Sequence, residues 1–600
     1  MWRWVTITIA ALSICLCAEA QEQDVLGAIL EFSGYPTPEE MGADEFERLE
    51  WLILHPLRIN MVTSAKIEDS GLLTRYQTVC LLDHIARHGD VLSYTELSAI
   101  DGFGQEFVHR LKPFISLESN RMAGQRSSPA RDVSHEIHIK VGTDVRESVR
   151  GTYALKYRIG YGDSLEGGIA LSKSSSYSSS APDAFSGGLL YCFRRYQTKM
   201  VIGSFNARFG QGLALWSGMS VGGMNKPSNY LKRSSTLSLS DSYTGNYSFK
   251  GIAAQSTFGR FRITSFTSIA KDKGQWGLMP AGNLAWFWSS GQMGLTHYAV
   301  FRTSVDGMYI PDMKSAVDLA MTAGGKDVFS EVVYDWGSSV FAGLTGITFP
   351  VGEDVRMAAM LRYYPASYNP EYSAAARSLT ECSNECSASL SSEFKIGKWM
   401  KINGLDGFGA SVRRMDGTLA IDAAYCPSPK AADAEVSMQI KSQAELRMMI
   451  SESFAVKLRL TERIRTWGRP FRTDIRTDML YYSRYFDSAL RVNYLKCEQS
   501  SFLIYIEGIC KIRFLKLCLR TGTFFVDDWD DRIYVYERDL PGSYNVPAFY
   551  GRGVWAALTG NWRFAKWGRL YFRTAFTEYP FDQQKKPGKA ELKLMLKLDL

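Results

Sequence analysis

Proline is scarce in this 600-residue chain: 19 residues, against 51 glycines. Proline breaks strand ladders, so its scarcity leaves room for long uninterrupted sheets. Histidine is scarcer still, with 7 residues, and only His135, His138 and His297 lie beyond position 120. His135 and His138 differ by three, which places them on opposite faces of a regular strand. No Gly-x-Ser-x-Gly elbow and no His/Asp/Glu cluster with metal-ligand spacing occurs, so the sequence assigns no catalytic residue, no metal and no cofactor, and the chain reads as a non-enzyme. The densest acidic patch, Asp527-Asp528-Trp529-Asp530-Asp531, lacks the glycine and terminal glutamate of a calcium loop and reads as a polar loop. Beyond the start of the chain no apolar run approaches the ~18 residues of a membrane-spanning helix. A membrane form of this protein must therefore cross with strands.

The start itself has Arg3, an apolar run from Val5 to Cys17, and Ala18-Glu19-Ala20. That is the pattern of a cleaved export signal over residues 1–20. Two of the ten cysteines fall inside it. Of the remainder, Cys382 and Cys386 stand four apart in a polar stretch, where an oxidising compartment would allow a loop disulfide. The others sit singly among apolar residues.

What the chain does have is alternation of period two. At its end Leu592, Leu594, Leu596, Leu598 and Leu600 alternate with Lys593, Met595, Lys597 and Asp599. Successive side chains of a strand point to opposite faces, so one face is leucine and the other largely charged. Ala455-Val-Lys-Leu-Arg-Leu-Thr461 repeats the pattern with Lys457 and Arg459, and Thr152–Tyr161, Gly162-Asp163 and Leu165–Leu171 make a clear hairpin. The aromatic content of 13% suits interfacial girdles. Residues 134–600 are thus expected to form an all-β transmembrane barrel of about 20–26 antiparallel strands, each near the ~9–11 residues that cross a bilayer at a tilt. Charge is costly against lipid, so Lys457, Arg459, Lys593 and Lys597 are expected to line the lumen, some of them paired with lumen carboxylates such as Glu445, Glu462 and Asp474. Unpaired, they would favour anions.

Residues 21–120 differ. They carry 17 Asp/Glu and 7 Lys/Arg, a net charge of −10, although the whole chain is +7. Leu49, Leu52 and Ile53, then Val79, Leu82 and Ile85, recur at helical spacing. In Leu97-Ser-Ala-Ile-Asp-Gly-Phe-Gly-Gln-Glu-Phe-Val-His-Arg-Leu111 two glycines bracket one apolar residue between two helical stretches. The expectation is a small all-α domain over 21–120, a linker over 121–133, and attraction between the acidic domain and the basic barrel.

The segment around Gly102-Phe103-Gly104 resembles the helix-hairpin-helix fold, in its paired form in the bacterial competence DNA-receptor family. A degenerate first copy is similar over Ile59–Ile85, with Ser70-Gly-Leu-Leu73 as its hairpin, and His55-Pro-Leu-Arg-Ile-Asn60 is similar to the family's entry segment. The resemblance implies phosphate contacts through Gly102, Phe103 and Gly104, supported by Arg110 and Lys112. Gln105, Glu106 and Val108 depart from that pattern, and a net charge of −10 disfavours a polyanion. A second resemblance covers more of the chain. Val201–Trp216, Met360–Tyr368, Arg532–Asp539 and Val546–Gly553 resemble recurring segments of Bacteroidetes-type outer-membrane proteins with an N-terminal helix-hairpin-helix region. It implies a Gram-negative outer-membrane location with the helical domain in the periplasm. The functional expectation is a channel, transporter or envelope scaffold with a periplasmic cap or plug, contacting lipid outside and its own barrel or a periplasmic protein inside. The alternatives are a DNA-binding or DNA-uptake component and a structural protein that recruits a periplasmic partner.

Overall fold

A computed structural model describes residues 25–600, apart from position 36, residues 120–124 and 126–132, and segments within the loops that join the strands. The expected signal peptide and most of the expected linker lie outside the described residues. Twenty-four antiparallel strands close into one barrel. The first, Val133–Val145, pairs with the last, Lys589–Asp599, so no edge remains. The closure is reinforced where His135 N–H donates to Leu600 O and Leu600 N–H donates to His135 O, each at 2.8 Å.

The alternation has its expected physical result. In the last strand Leu592 and Leu594 are exposed on the outside, while Met595 and Lys597 are fully buried inside. In strand Phe454–Arg465, Leu458 and Leu460 face out, and Lys457 and Arg459 face in. Ile139, Ile169, Ile263, Leu295, Val332, Leu361, Ile421, Ile475 and Ile506 continue the exposed apolar band around the circumference. A closed barrel that is apolar outside and charged inside is the architecture of an outer-membrane protein.

The two barrel ends differ. At the end where Val133 begins and Asp599 finishes, many connections are tight, such as 259–260, 289–290 and 324–325. The other end carries the long connections 209–248, 365–384 and 527–550. Short turns mark the periplasmic end of such barrels. The long connections fold inward. Within them Leu213, Leu215, Leu237, Tyr368 and Ala375 are buried with barrel residues Phe205, Phe249, Phe329 and Tyr364.

The acidic segment folds into six helices: α1 (Val25–Ser33), α2 (Ala43–Leu54), α3 (Ser64–Ser70), α4 (Arg75–His88), α5 (Tyr94–Ala99) and α6 (Gly104–Leu111). Their starts are set by side-chain caps: Thr63 accepts from Lys66 N–H, Ser93 from Glu96 N–H, and Thr74 with Gln77 forms a reciprocal capping box. Ile29, Leu49, Ile67, Leu81, Leu97, Phe103 and Phe114 form their common core. A parallel pair, Leu57–Arg58 with Ile115–Ser116, joins the two ends of the domain. Beside it buried Asn60 donates to Val91 O and accepts from Val91 N–H, both at 2.9 Å.

Candidate functional site

The helical domain sits inside the barrel mouth, and its acidic residues meet the wall's cations around the circumference. In α2, Glu47 takes Lys156 at 2.7 Å. In α3, Glu68 pairs with Arg262 and Asp69 with Lys199. In α6, Glu106 pairs with Lys395. Between α1 and α2, Glu40 pairs with Arg459, and Glu39 lies 3.7 Å from Arg476 and 3.5 Å from Arg491. One pair is reversed: Lys66 of α3 meets Glu166 of the wall. Trp51 adds a hydrogen bond from Nε1 to Glu136 Oε2 at 3.2 Å. Cations drawn from seven strands thus converge on one acidic body, so the domain is a plug.

The long connection 527–550 meets the plug from the other side. Tyr536 N–H donates to Glu39 Oε1 at 2.8 Å, and Gly542 N–H donates to Glu50 Oε2 at 2.9 Å. Phe46 of α2 packs between Tyr536 and Tyr544, with ring centroids 5.5 and 5.6 Å away. The two glutamates titrate in opposite directions. Burial raises the Glu39 carboxyl, but Arg476, Arg491 and the Tyr536 N–H outweigh it and hold the group down at about 2. Burial dominates at Glu50, where the Gly542 N–H and Lys140 compensate only in part, and its carboxyl is pushed up to about 7.

The lumen cations expected from alternation all face inward and all have partners. Lys457 is 2.9 Å from Glu445, Arg459 holds Glu40, and Lys593 is 2.8 Å from Asp539. Lys597 is 2.9 Å from Glu136, 3.3 Å from His55 Nε2 and 3.4 Å from Asp599. His55, Glu136 and Asp599 could form a three-ligand metal group. The Lys597 ammonium already lies among the three, so a metal ion would have to displace it. The expected anion-attracting lumen is corrected on this point: barrel and loop carboxylates neutralise Lys457, Lys593 and Lys597, and the plug's Glu40 neutralises Arg459.

The glycine hairpin of the plug joins α5 to α6 at the periplasmic end, with φ of +82° at Gly102 and +67° at Gly104. Phe103 is buried in the plug core, whereas Gly102 and Gly104 are exposed. Gly102 O accepts from Gln77 Nε2 at 2.8 Å. Arg110 turns back to Glu106 at 3.5 Å and to Ser228 Oγ at 3.4 Å, and Lys112 lies over the Tyr94 ring at 5.1 Å. The five residues are close in sequence, but the two cations are engaged locally and do not converge on the glycines. The Cys382–Cys386 disulfide does not form. Cys382 is buried beside Ala375 O at 3.6 Å, and Cys386 is exposed on strand Glu385–Ile396. The strand begins between them and separates their side chains.

Sequence reading missed two parts of the interior. One is a clasp: Glu331, buried on strand Lys326–Asp335, accepts from the N–H groups of Gln211, Leu213 and Ala214 at 2.7, 3.0 and 2.9 Å. It pins Phe209–Leu215 into the lumen, and Gly210 leaves room for it, since a Cβ there would fall 2.8 Å from Glu331 Oε2. Gly210 and Gly212 permit this close approach, and the sequence alone does not show its partner. The other is the acidic patch at 527–531. Buried Asp531 accepts from the N–H groups of Cys497, Glu498 and Gln499 at 2.9, 2.9 and 2.7 Å, while Asp527 holds Arg552 and Asp530 holds Arg469. These carboxylates tie a loop to its neighbours.

No family model matches the chain, and no curated protein matches it. Solved structures similar to it are barrels. The siderophore receptor PirA from Pseudomonas aeruginosa is 7% identical, covering 80% of this chain and 83% of its own, with a TM-score of 0.39. The P pilus usher PapC translocation pore is 8% identical over 78% of this chain and 99% of its own, with a TM-score of 0.35. The copper transporter OprC is 8% identical over 81% and 84%, with a TM-score of 0.38.

Proposed function

We propose that the protein is a plugged outer-membrane transporter of a Gram-negative bacterium, with the acidic helical domain as the plug at the periplasmic end. The ring of ion pairs carries this reading. It binds the plug at points all around the wall, yet each contact is polar and therefore breakable without unfolding a hydrophobic core. Buried pairs of this kind contribute little net stability when intact, but losing one partner leaves a charge without compensation. Such an interface specifies position rather than permanence. The proposal involves no catalytic step.

The test is single-channel recording on full-length protein in planar bilayers. Wild type is expected to be closed. The combined substitutions Glu39→Gln, Glu40→Gln and Glu68→Gln are expected to produce frequent large openings. A triple variant that stays as closed as wild type, with its barrel intact by heat-modifiable mobility, would overturn the reading.

A second reading is carried by the exposure of Gly102 and Gly104: the hairpin would dock a periplasmic polyanion such as DNA. Asp101 and Glu106 beside it oppose this. Gel-shift titration of the full-length protein with duplex DNA decides it. The reading requires salt-sensitive binding that Gln105→Lys strengthens, and absence of binding in both proteins rejects it.

A further inference from the structure

The barrel wall is interrupted at one place. Strands Ala184–Phe193 and Thr198–Arg208 pair from Phe193↔Thr198 to Gly188↔Gly203. Their ladder then stops, although one strand continues to Ala184 and the other to Arg208. Above that point Phe205–Arg208 pairs instead with Thr236–Leu239 of the in-folded connection. Residues Ala184–Gly187 keep their pairing with strand Leu165–Lys173 but, among the described residues, have no strand partner on the other side.

The break coincides with a row of glycines in register across four strands: Gly168↔Gly188, Gly188↔Gly203 and Gly203↔Gly251. Gly203 has φ of +106°, and a Cβ there would lie 2.3 Å from Gly187 O. Only glycine permits this approach of backbones, and it bends the strand away from its neighbour. The sheet is creased along the row.

Behind the crease the lumen is apolar. Phe205, Phe249 and Phe266 cluster with ring centroids 5.1 to 5.9 Å apart, beside Val201 and Leu237. In front of it Phe185, Leu189, Ile202 and Ile252 face lipid. A cavity of 660 Å³ lies beside this place, reaching Gly167, Leu190, Asn206 and Leu239. Its periplasmic end is framed by His55, Pro56, Asp599 and Leu600, it runs between α2 and the wall, and its far end is lined by Leu190, Asn206, Leu239 and Ser248. Along the way the polar side holds charges of both signs, among them Glu136, Arg158 and Asp241, with Arg158 Nη2 donating to Asp241 Oδ1 at 2.6 Å. The apolar side is formed by Trp51, Leu52 and Ile159.

We propose that the cavity and the interrupted wall form one passage, through which a lipid-like amphiphile moves between the periplasmic mouth and the outer leaflet while the plug stays in place. The paired charges serve a polar or zwitterionic head, and the apolar side, with Leu190 and Leu239 at its far end, serves an acyl chain. Both walls are already built, as a ligand of mixed character requires. The proposal rests on the transport reading and specifies its substrate class and route.

The experiment uses full-length protein in lipid nanodiscs. A photoreactive benzophenone side chain is placed at Leu239, at Asn206, or at lipid-facing Leu419 as a control, and an alkyne-tagged lysophosphatidylcholine is the probe. Adducts are expected at all three positions. Ser238→Trp, which fills the passage, should lower the Leu239 adduct several-fold and leave Leu419 unchanged. Should that variant fail to fold, Asn206→Trp serves the same purpose. Adducts at Leu419 alone, or interior adducts indifferent to both fillers, would overturn the proposal. Competition by glycerophosphocholine as strong as by unlabelled lysolipid would show that the site takes a water-soluble head, which also overturns it. If the plug-interface triple variant opens channels but no interior adduct forms, the passage fails and the transporter reading stands.

Discussion

The two sides of the lumen are built on different principles. From strand Arg414–Cys426 round to strand Lys589–Asp599 the ladders run on with a single register shift, at Arg563/Ala565, and the inner face carries paired charges such as Lys457–Glu445, Arg491–Asp478 and Lys511–Asp487. From strand Leu165–Lys173 round to strand Val355–Tyr364 the wall is creased by glycine, and its interior holds Phe205, Phe249, Phe266, Phe329 and Tyr298. Both sides hold the plug by ion pairs, the first through Arg459, Arg476 and Arg491, the second through Lys199 and Arg262. The second admits part of its own extracellular connections and packs them by apolar contact. One barrel thus combines a polar socket with a hydrophobic pocket, and the two should respond differently to perturbation.

The largest expected effect is on the charged side. Arg573 is fully buried, 2.6 Å from Glu537 and 3.6 Å from both Asp539 and Glu591. Arg573→Ala leaves three carboxylates facing one another, and a loss of about 3–5 kcal/mol is expected in urea titration followed by tryptophan fluorescence. On the apolar side Phe249→Ala opens a cavity and should cost about 3–4 kcal/mol, unchanged between low and high salt. A salt-dependent loss there would erase the contrast between the sides.

pH separates the two glutamates of the plug. Glu39 is depressed from its usual 4.5 to about 2, so its contribution is present above pH 4.5 and is lost as pH falls towards 2. Glu50 is raised from 4.5 to about 7, so stability is highest below pH 4.5 and is lost as pH rises to 7. Glu50→Gln should therefore stabilise the plug at pH 7 by roughly 2–3 kcal/mol and do nothing at pH 4, measured as resistance of the plug to limited proteolysis. Equal effects at both pH values would remove burial as the cause. The smallest effect belongs to Arg413–Glu452, an exposed pair at 2.7 Å. Glu452→Gln should change stability by less than about 0.5 kcal/mol.

The same division explains how much was legible in the sequence. On the regular side every strand alternates, so Lys457, Arg459, Lys593 and Lys597 could be placed inside from sequence, and the expected range of strands included the observed 24. The net charge of −10 over residues 21–120 pointed to a domain that docks against a basic wall, and the wall's cations receive it. The glycine-rich side was opaque. Gly168, Gly188, Gly203 and Gly251 are separated by 15 to 48 positions, and only the register of four paired strands aligns them. Glu331 is likewise one carboxylate among many until its strand faces Gly210–Leu213. The Cys382–Cys386 spacing suggested a bridge because sequence distance carries no information about the strand boundary that falls between them.

The barrel's first and last strands meet each other, and the plug precedes both in the chain. Synthesis therefore delivers the plug before any strand exists to enclose it. Its helices are pinned by cations from strands as far along as Phe486–Lys496 and by the Gly542 amide, which emerge hundreds of residues later. The plug therefore meets these partners only once nearly the whole barrel has been made. The eleven residues of strand Lys589–Asp599 supply the seam that turns an open sheet into a closed wall around the acidic body.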